Sequence, residues 1–321
     1  MRGGGPFGAL VAAFAGAGCV DESMLSLDAA SPDATEVMAD AQVCLPRTVV
    51  PLTIDAGAFA PTPDHPSVVV VAPQGFDPNA PTELVVYVHG FYNCVENIVG
   101  ETSTACTPGG PKRNAFSLAA QLEQSGRNAL LICPEVAFDQ ASGAAGKLAT
   151  QGGLKAMLAE TLAELPPPLG PIDLAAHDQL IVATHSGGYV AAAAMATIGE
   201  VPVDELWLFD SLYGRTSSFD SWVMGDIASF ATAMPARRFA NVYTSGGGTY
   251  ANSQAMADRA EGWVTGDPSV LLDDRTTATL TDAEYQHGLL FKLSGLSHDD
   301  VPRKYFARLL ATSSLPARTC P

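Results

Sequence analysis

A serine at the apex of a sharp strand-to-helix turn is placed to act as a nucleophile, and Ser186 has that placement. Leu180 to Thr184 is an apolar, partly β-branched run; His185-Ser186-Gly187-Gly188 interrupts it; Val190 to Ala196 continues with helical, alanine-rich character. Such a turn lifts the serine Oγ above the sheet edge. It also aims the next N–H, that of Gly187, at the same space as an anion-stabilising donor. The flanking residues are small because the strand and helix backbones nearly touch there. The usual pattern is G-x-S-x-G, and Thr184, bulkier and β-branched, stands where the first glycine would be. Short Gly/Ser turns are common, so the pentapeptide needs partners before it carries a reaction.

A serine hydroxyl needs a base, and the base needs an acid that fixes its tautomer. The base is assigned to His298, in the loop Gly295 to Pro302 after the last apolar run. The acid is assigned to Asp210, where Trp207-Leu208-Phe209 gives way to a turn. The next strand ends in Thr244 to Thr249 without a carboxylate, which favours Asp210; Asp267, Asp273 and Asp274 are the alternatives. Asp299 and Asp300 are too close in sequence to align the His298 ring. The oxyanion donors are assigned to the N–H of Gly187 and that of Phe91, or else Tyr92, after His89-Gly90. His89 and His185 are read as packing or orienting residues. Phe91, Tyr92, Phe138 and Tyr213 are expected to line an apolar acyl pocket, the alternative being that they cover the sheet edge. Glu135 and Lys147 are read as surface ions more readily than as readers of a polar substrate group.

These residues need a scaffold that brings them to one edge. Apolar runs at 68–72, 83–89, 129–133, 179–184, 205–209, 240–244 and 289–293 predict strands. Helical patterns at 116–124, 154–165, 189–198, 230–234, 254–261 and 301–311 alternate with them. That alternation predicts a mostly parallel sheet with helices on both faces, in the α/β class. Functional groups in such sheets gather at the carboxyl ends of strands. Ser186, His89-Gly90-Phe91, Asp210 and His298 all fall there, whereas His177 and His287 precede strands and His65 lies in a proline-rich entry segment.

Taken together, His89-Gly90-Phe91, Thr184 to Gly188, Asp210 and His298 resemble the α/β-hydrolase-fold serine hydrolases, over residues 65–315. The order of oxyanion loop, serine, acid and histidine is the order of that family. The resemblance implies hydrolysis of a carboxylic ester or related acyl bond through an acyl-enzyme, with no cofactor and no metal. It leaves the substrate open, because the fold hosts esterases, lipases, thioesterases and peptidases. A serine peptidase or amidase of the same fold, with Glu135 as its one obvious amine-reading acid, is a second reading. A non-catalytic binding lipoprotein is a third.

The chain has 321 residues, and 47% hydrophobic against 16% charged residues marks a globular protein able to build a large core. A net charge of −17 excludes nucleic acid and anionic lipid as natural partners. A small-molecule or lipid ester is the expected one. Residues 1–19 resemble a lipoprotein signal: Arg2, a short apolar segment, and Ala15-Gly16-Ala17-Gly18-Cys19, with Gly16 where leucine is usual. Lipidation is therefore expected at Cys19, with ordinary cleavage nearby as the alternative. Residues 20–43, acidic and without Lys or Arg, read as a disordered tether, and 44–321 as one domain. Export to the cell envelope or medium would permit disulfides. Cys94–Cys106 and Cys44–Cys320 are the expected pairs, and Cys133 a buried free thiol.

Overall fold

In a computed structural model of the protein, residues 44–139, 143–231, 236–265 and 267–319 are described. Their strands are β1 (Thr48–Leu52), β2 (Val68–Ala72), β3 (Thr82–Val88), β4 (Leu130–Pro134), β5 (His177–His185), β6 (Glu205–Phe209), β7 (Arg238–Thr244), β8 (Leu271–Asp274) and β9 (Leu289–Ser294). The α-helices are α1 (Val95–Val99), α2 (Leu118–Ser125), α3 (Gly153–Ala163), α4 (Tyr189–Ile198), α5 (Thr216–Met224), α6 (Tyr250–Trp263), α7 (Asp282–Tyr285) and α8 (Asp300–Ala311).

The strands form one sheet in the order β1-β2-β4-β3-β5-β6-β7-β9-β8. From β4 to β8 all neighbours run parallel; β1 and β2 add an antiparallel edge. The central strands read as unbroken apolar runs because both faces are covered. Their alternate residues feed two separate cores. Leu84, Val86, Leu180, Val182, Leu206 and Leu208 pack with α3, α4, α5 and α6. Val85, Tyr87, Ile181, Ala183, Trp207 and Phe209 pack with α1, α2 and α8. Helix α4 buries Ala191, Ala192 and Ala193, small side chains that let it lie close under the sheet. Helix α8 is amphipathic and buries Val301, Phe306, Leu309 and Leu310.

Register then does the positioning. Val88 pairs with Thr184, His185 with Phe209, Phe209 with Val242 and Thr244 with Ser294. The carboxyl ends of β3, β5, β6, β7 and β9 therefore finish level, and the residues after them share one rim.

Three expectations change. The helix predicted at 230–234 is a single 3₁₀ turn, Ile227–Phe230, and 232–235 lie outside the described residues. Strand β1 was hidden by Pro51, which lacks an N–H and is tolerated because β1 is an edge strand. Strand β8 was hidden because it is short, half-exposed and acidic.

Candidate active site

Strand β5 delivers Ser186 into a backbone conformation with φ 52°, left-handed and disfavoured for a side-chain-bearing residue. The sharp reversal into α4 requires it. Thr184, the departure from the usual pattern, is accommodated: its Oγ1 donates to the Val88 carbonyl of the neighbouring strand at 3.3 Å. The Ser186 carbonyl is held from the other side by Ser211 Oγ at 2.6 Å. The turn after β3 meets this elbow closely. A Cβ on Gly90 would lie 2.5 Å from the Ser186 Cβ, and one on Gly187 would lie 2.0 Å from the Phe91 ring. Glycine is needed at 90, where the neighbour is the Ser186 Cβ; at 187 a side chain would have to displace the exposed Phe91 ring.

Asp210 leaves β6 completely buried, and its Oδ2 lies 2.7 Å from His298 Nδ1. The carboxylate can only accept, so Nδ1 carries the proton and Nε2 keeps its lone pair. The end of β7, expected to be silent because it lacks an acid, supplies the remaining donors. Thr244 gives its N–H to Oδ1 at 3.0 Å and its hydroxyl to Oδ2 at 2.8 Å, and Thr249 gives its hydroxyl to Oδ1. Burial pushes the Asp210 carboxyl up, but the hydrogen bonds from His298, Thr249 and Thr244 outweigh it and hold the group below its ordinary value. An ionised carboxylate is thus fixed behind an imidazole that is about one-third exposed. The alternatives are elsewhere: Asp273 binds Arg275, Asp274 binds the buried Lys292, and Asp267 caps its own turn at Ser269.

Ser186, His298, Gly90, Phe91, Tyr92, Tyr189 and Tyr213 line one cleft of about 490 Å³. Phe91, Tyr92 and Tyr213 are among the most exposed large apolar side chains of the described residues. Tyr213 does more than line the cleft: its ring stands edge-on to His298 at 6.2 Å. Burial raises the Tyr213 phenol, with the Asp210 charge adding to it. Phe138, expected in this cleft, is not among its walls. It packs on His65 at 4.2 Å and lines a separate cavity of about 230 Å³ with Phe59 and Val136.

His185 acts as a fixed support. Burial first, and the neighbouring His298 second, push its pKa down to about 3, so it stays neutral. Its Nε2 donates to the His298 carbonyl at 3.2 Å, and its ring lies 4.4 Å from the His298 ring. His89 and Glu135 form a buried clamp beneath the Gly90 turn. His89 Nε2 is 2.6 Å from Glu135 Oε1, His89 Nδ1 is 2.8 Å from the Gly90 carbonyl, and Val95 N–H donates to Glu135 Oε2 at 3.0 Å. Lys147 donates to the Asp55 carbonyl, away from the cleft.

Two clusters have metal-ligating side chains within reach of one another. In the first, His65, Cys94 and Glu96, the cysteine sulfur is already in the Cys94–Cys106 disulfide. In the second, His185, His298 and Asp299, the histidines spend Nε2 and Nδ1 on the His298 carbonyl and Asp210. The first cluster therefore has no free thiolate, and in the second the ring nitrogens left are His185 Nδ1 and His298 Nε2.

Cys94–Cys106 is bonded as expected, and Cys133 is a buried thiol whose pKa burial drives far up. Cys44 is also disulfide-bonded; its expected partner Cys320 lies outside the described residues, as do Cys19 and the whole of 1–43. No described helix is long and apolar enough to cross a membrane.

No protein-family model matches the chain, and no curated protein matches it by sequence. Solved structures do. The feruloyl esterase module from Clostridium thermocellum, in complex with sinapinate, superposes with a TM-score of 0.52 at 13% identity over 84% of this chain and 88% of that one. A protein designated FAE gives 0.51 at 14% identity over the same shares. Together with the strand order, these place the chain in the α/β-hydrolase fold.

Proposed function

We propose that the chain is a serine hydrolase that cleaves carboxylic esters of small molecules through an acyl-enzyme. The observation that carries this is the buried Asp210, ionised and hydrogen-bonded to His298, on the same cleft as the strained Ser186. His298 Nε2 takes the hydroxyl proton as Ser186 Oγ attacks the ester carbonyl. Asp210 stabilises the imidazolium without itself taking the proton. The N–H groups of Gly187 and Phe91 are assigned to the oxyanion. Collapse expels the alcohol, protonated by His298. A water activated by the same imidazole then hydrolyses the acyl-enzyme, freeing the acid and Ser186.

The aromatic walls of the cleft suit a flat or apolar acyl group, in keeping with the sinapinate complex of the feruloyl esterase module. Peptidase activity is disfavoured because Glu135, its amine-reading candidate, is consumed by His89 and Val95. Action outside the cytoplasm is part of the proposal. The Cys94–Cys106 disulfide and the signal-like residues 1–19 support it, and lipidation at Cys19 would anchor the enzyme. Treatment with a fluorophosphonate and mapping of the adduct by mass spectrometry tests the core of the reading. Ser186 should carry the label; an adduct on another serine, or none on folded protein, sinks it.

A further inference from the structure

Arg113 lines the same cleft as Ser186 and His298. Its guanidinium sits over the Tyr92 ring, 4.8 Å from the centroid. Most other arginines of this acidic chain are neutralised: Arg237, Arg238, Arg259 and Arg275 hold carboxylates, and Arg127 and Arg318 hold carbonyls. Among the described residues no carboxylate lies within ion-pair distance of the Arg113 guanidinium. Asp299, on the cleft wall, is instead held by Asn114 Nδ2 at 2.7 Å.

The backbone around Arg113 is fixed on both sides. The Cys94–Cys106 disulfide closes the loop, and Ala105 bridges Lys112. Arg113 N–H donates to the Thr104 carbonyl at 2.7 Å. The Asn114 carbonyl accepts from Asn93 at 3.2 Å and from Asn97 at 3.0 Å. Fixing a loop in advance removes the ordering cost of binding. A guanidinium so held, shielded on one side by an aromatic ring and with unclaimed N–H donors, matches a planar anion in two-point contact.

We infer that Arg113 binds a carboxylate carried by the substrate at a distance from the scissile ester. This deepens the esterase reading and depends on it. The natural substrate class is then an ester in which the acyl or the alcohol part bears a free carboxylate. The overall charge of −17 would repel such a molecule, so the local cation has a distinct task.

Two matched pairs test this. On the alcohol side, 4-acetoxybenzoate is compared with its methyl ester. On the acyl side, 4-nitrophenyl hemiglutarate is compared with 4-nitrophenyl valerate. The readout is the ratio of kcat/KM for the charged over the neutral ester, in wild type, Arg113→Gln and Arg113→Lys. In at least one pair Arg113→Gln should lower the ratio by on the order of 10- to 100-fold, with Arg113→Lys in between. A purely structural role on Tyr92 would slow both esters together. Ratios that move by less than about twofold in both pairs overturn the assignment. Arg113→Lys serves by itself if Arg113→Gln does not fold. Fluorophosphonate labelling of the same wild-type preparation separates the two levels. A labelled Ser186 with unmoved ratios overturns Arg113 alone, whereas an unlabelled Ser186 overturns the esterase reading and this inference with it.

Discussion

Strand β6 carries a buried carboxylate at each end, and the two behave differently. At its start, Glu205 accepts from Trp207 Nε1 and Arg238 Nη1, each at 3.1 Å, and from the Ser314 N–H and hydroxyl at 3.1 and 2.8 Å. Arg238 passes on to the carbonyls of Thr312 and Tyr285. Glu205, Trp207, Arg238, Thr312 and Tyr285 are buried, Ser314 sits at the exposed margin, and an arginine is a permanent cation. At the far end, Asp210 is as deeply buried and as fully satisfied, but its chain of contacts ends in His298, an imidazole that faces the cleft. One network is closed and ties α8 to the sheet; the other opens at a single group able to move a proton. Burial of an acid does not distinguish structure from chemistry. What terminates its hydrogen bonds does.

Four substitutions sharpen that contrast. Ser186→Ala should lower kcat by on the order of 10⁶-fold, leaving Tm close to wild type, as seen when a triad nucleophile is removed from other folds. Turnover within tenfold of wild type would show that the open network serves something other than Ser186. Asp210→Asn should lower kcat by about 10⁴-fold, because an amide no longer selects the productive tautomer. The same variant tests the pH sign. A carboxyl held below its ordinary value contributes stability that is complete above the ordinary carboxylate range. That contribution is lost as pH falls through the lowered folded value. Asp210→Asn should therefore flatten the acid limb of a Tm-against-pH curve; an unchanged limb would contradict it.

At the closed end the effect should appear in stability instead. Glu205→Gln strands the Arg238 charge and should cost about 3–5 kcal/mol in urea unfolding, while kcat per folded molecule stays near wild type. A loss of turnover without a loss of stability would reverse the two roles. The smallest effect is expected at Glu83, near the start of β3. Burial, with Asp178 and Asp204 nearby, pushes its pKa up to about 7, and its Oε2 has no partner. A raised folded value means stability present below the ordinary range and lost as pH rises through 7. Glu83→Gln should thus stabilise by about 1–2 kcal/mol at pH 8 and by almost nothing at pH 4, read from paired melting curves.

Much of this rim was legible in the sequence, for a physical reason. Ser186, Asp210 and His298 follow apolar runs that end level in a parallel sheet, so position in the β/α alternation carries the information. The donors to Asp210 were not legible, since hydroxyls and main-chain N–H groups carry no signature of their own; a threonine closing the all-buried β7 was the available signal. Phe138 was placed in the wrong cavity because the connection after β4 has no period to fix its direction. The position of Arg113 is not legible for a similar reason: it depends on a disulfide and on main-chain hydrogen bonds from distant residues.

Tyr92, Ser186 and Asp210 share a backbone trait, with φ values of 57°, 52° and 44°. Each follows a different strand, and all three meet at the candidate site. Side-chain-bearing residues held there cost on the order of 1–3 kcal/mol apiece. Selection for stability alone would press on this rim, as on Ser117, Glu200, Arg215 and Thr265, toward glycine or asparagine. At position 210, asparagine suits that backbone but gives up the carboxylate that Thr244, Thr249 and His298 donate to, so relief of strain there is set against the loss of those hydrogen bonds. The left-handed turns of this rim are thus held in place by the bonds their side chains make, and neither can be relaxed without the other.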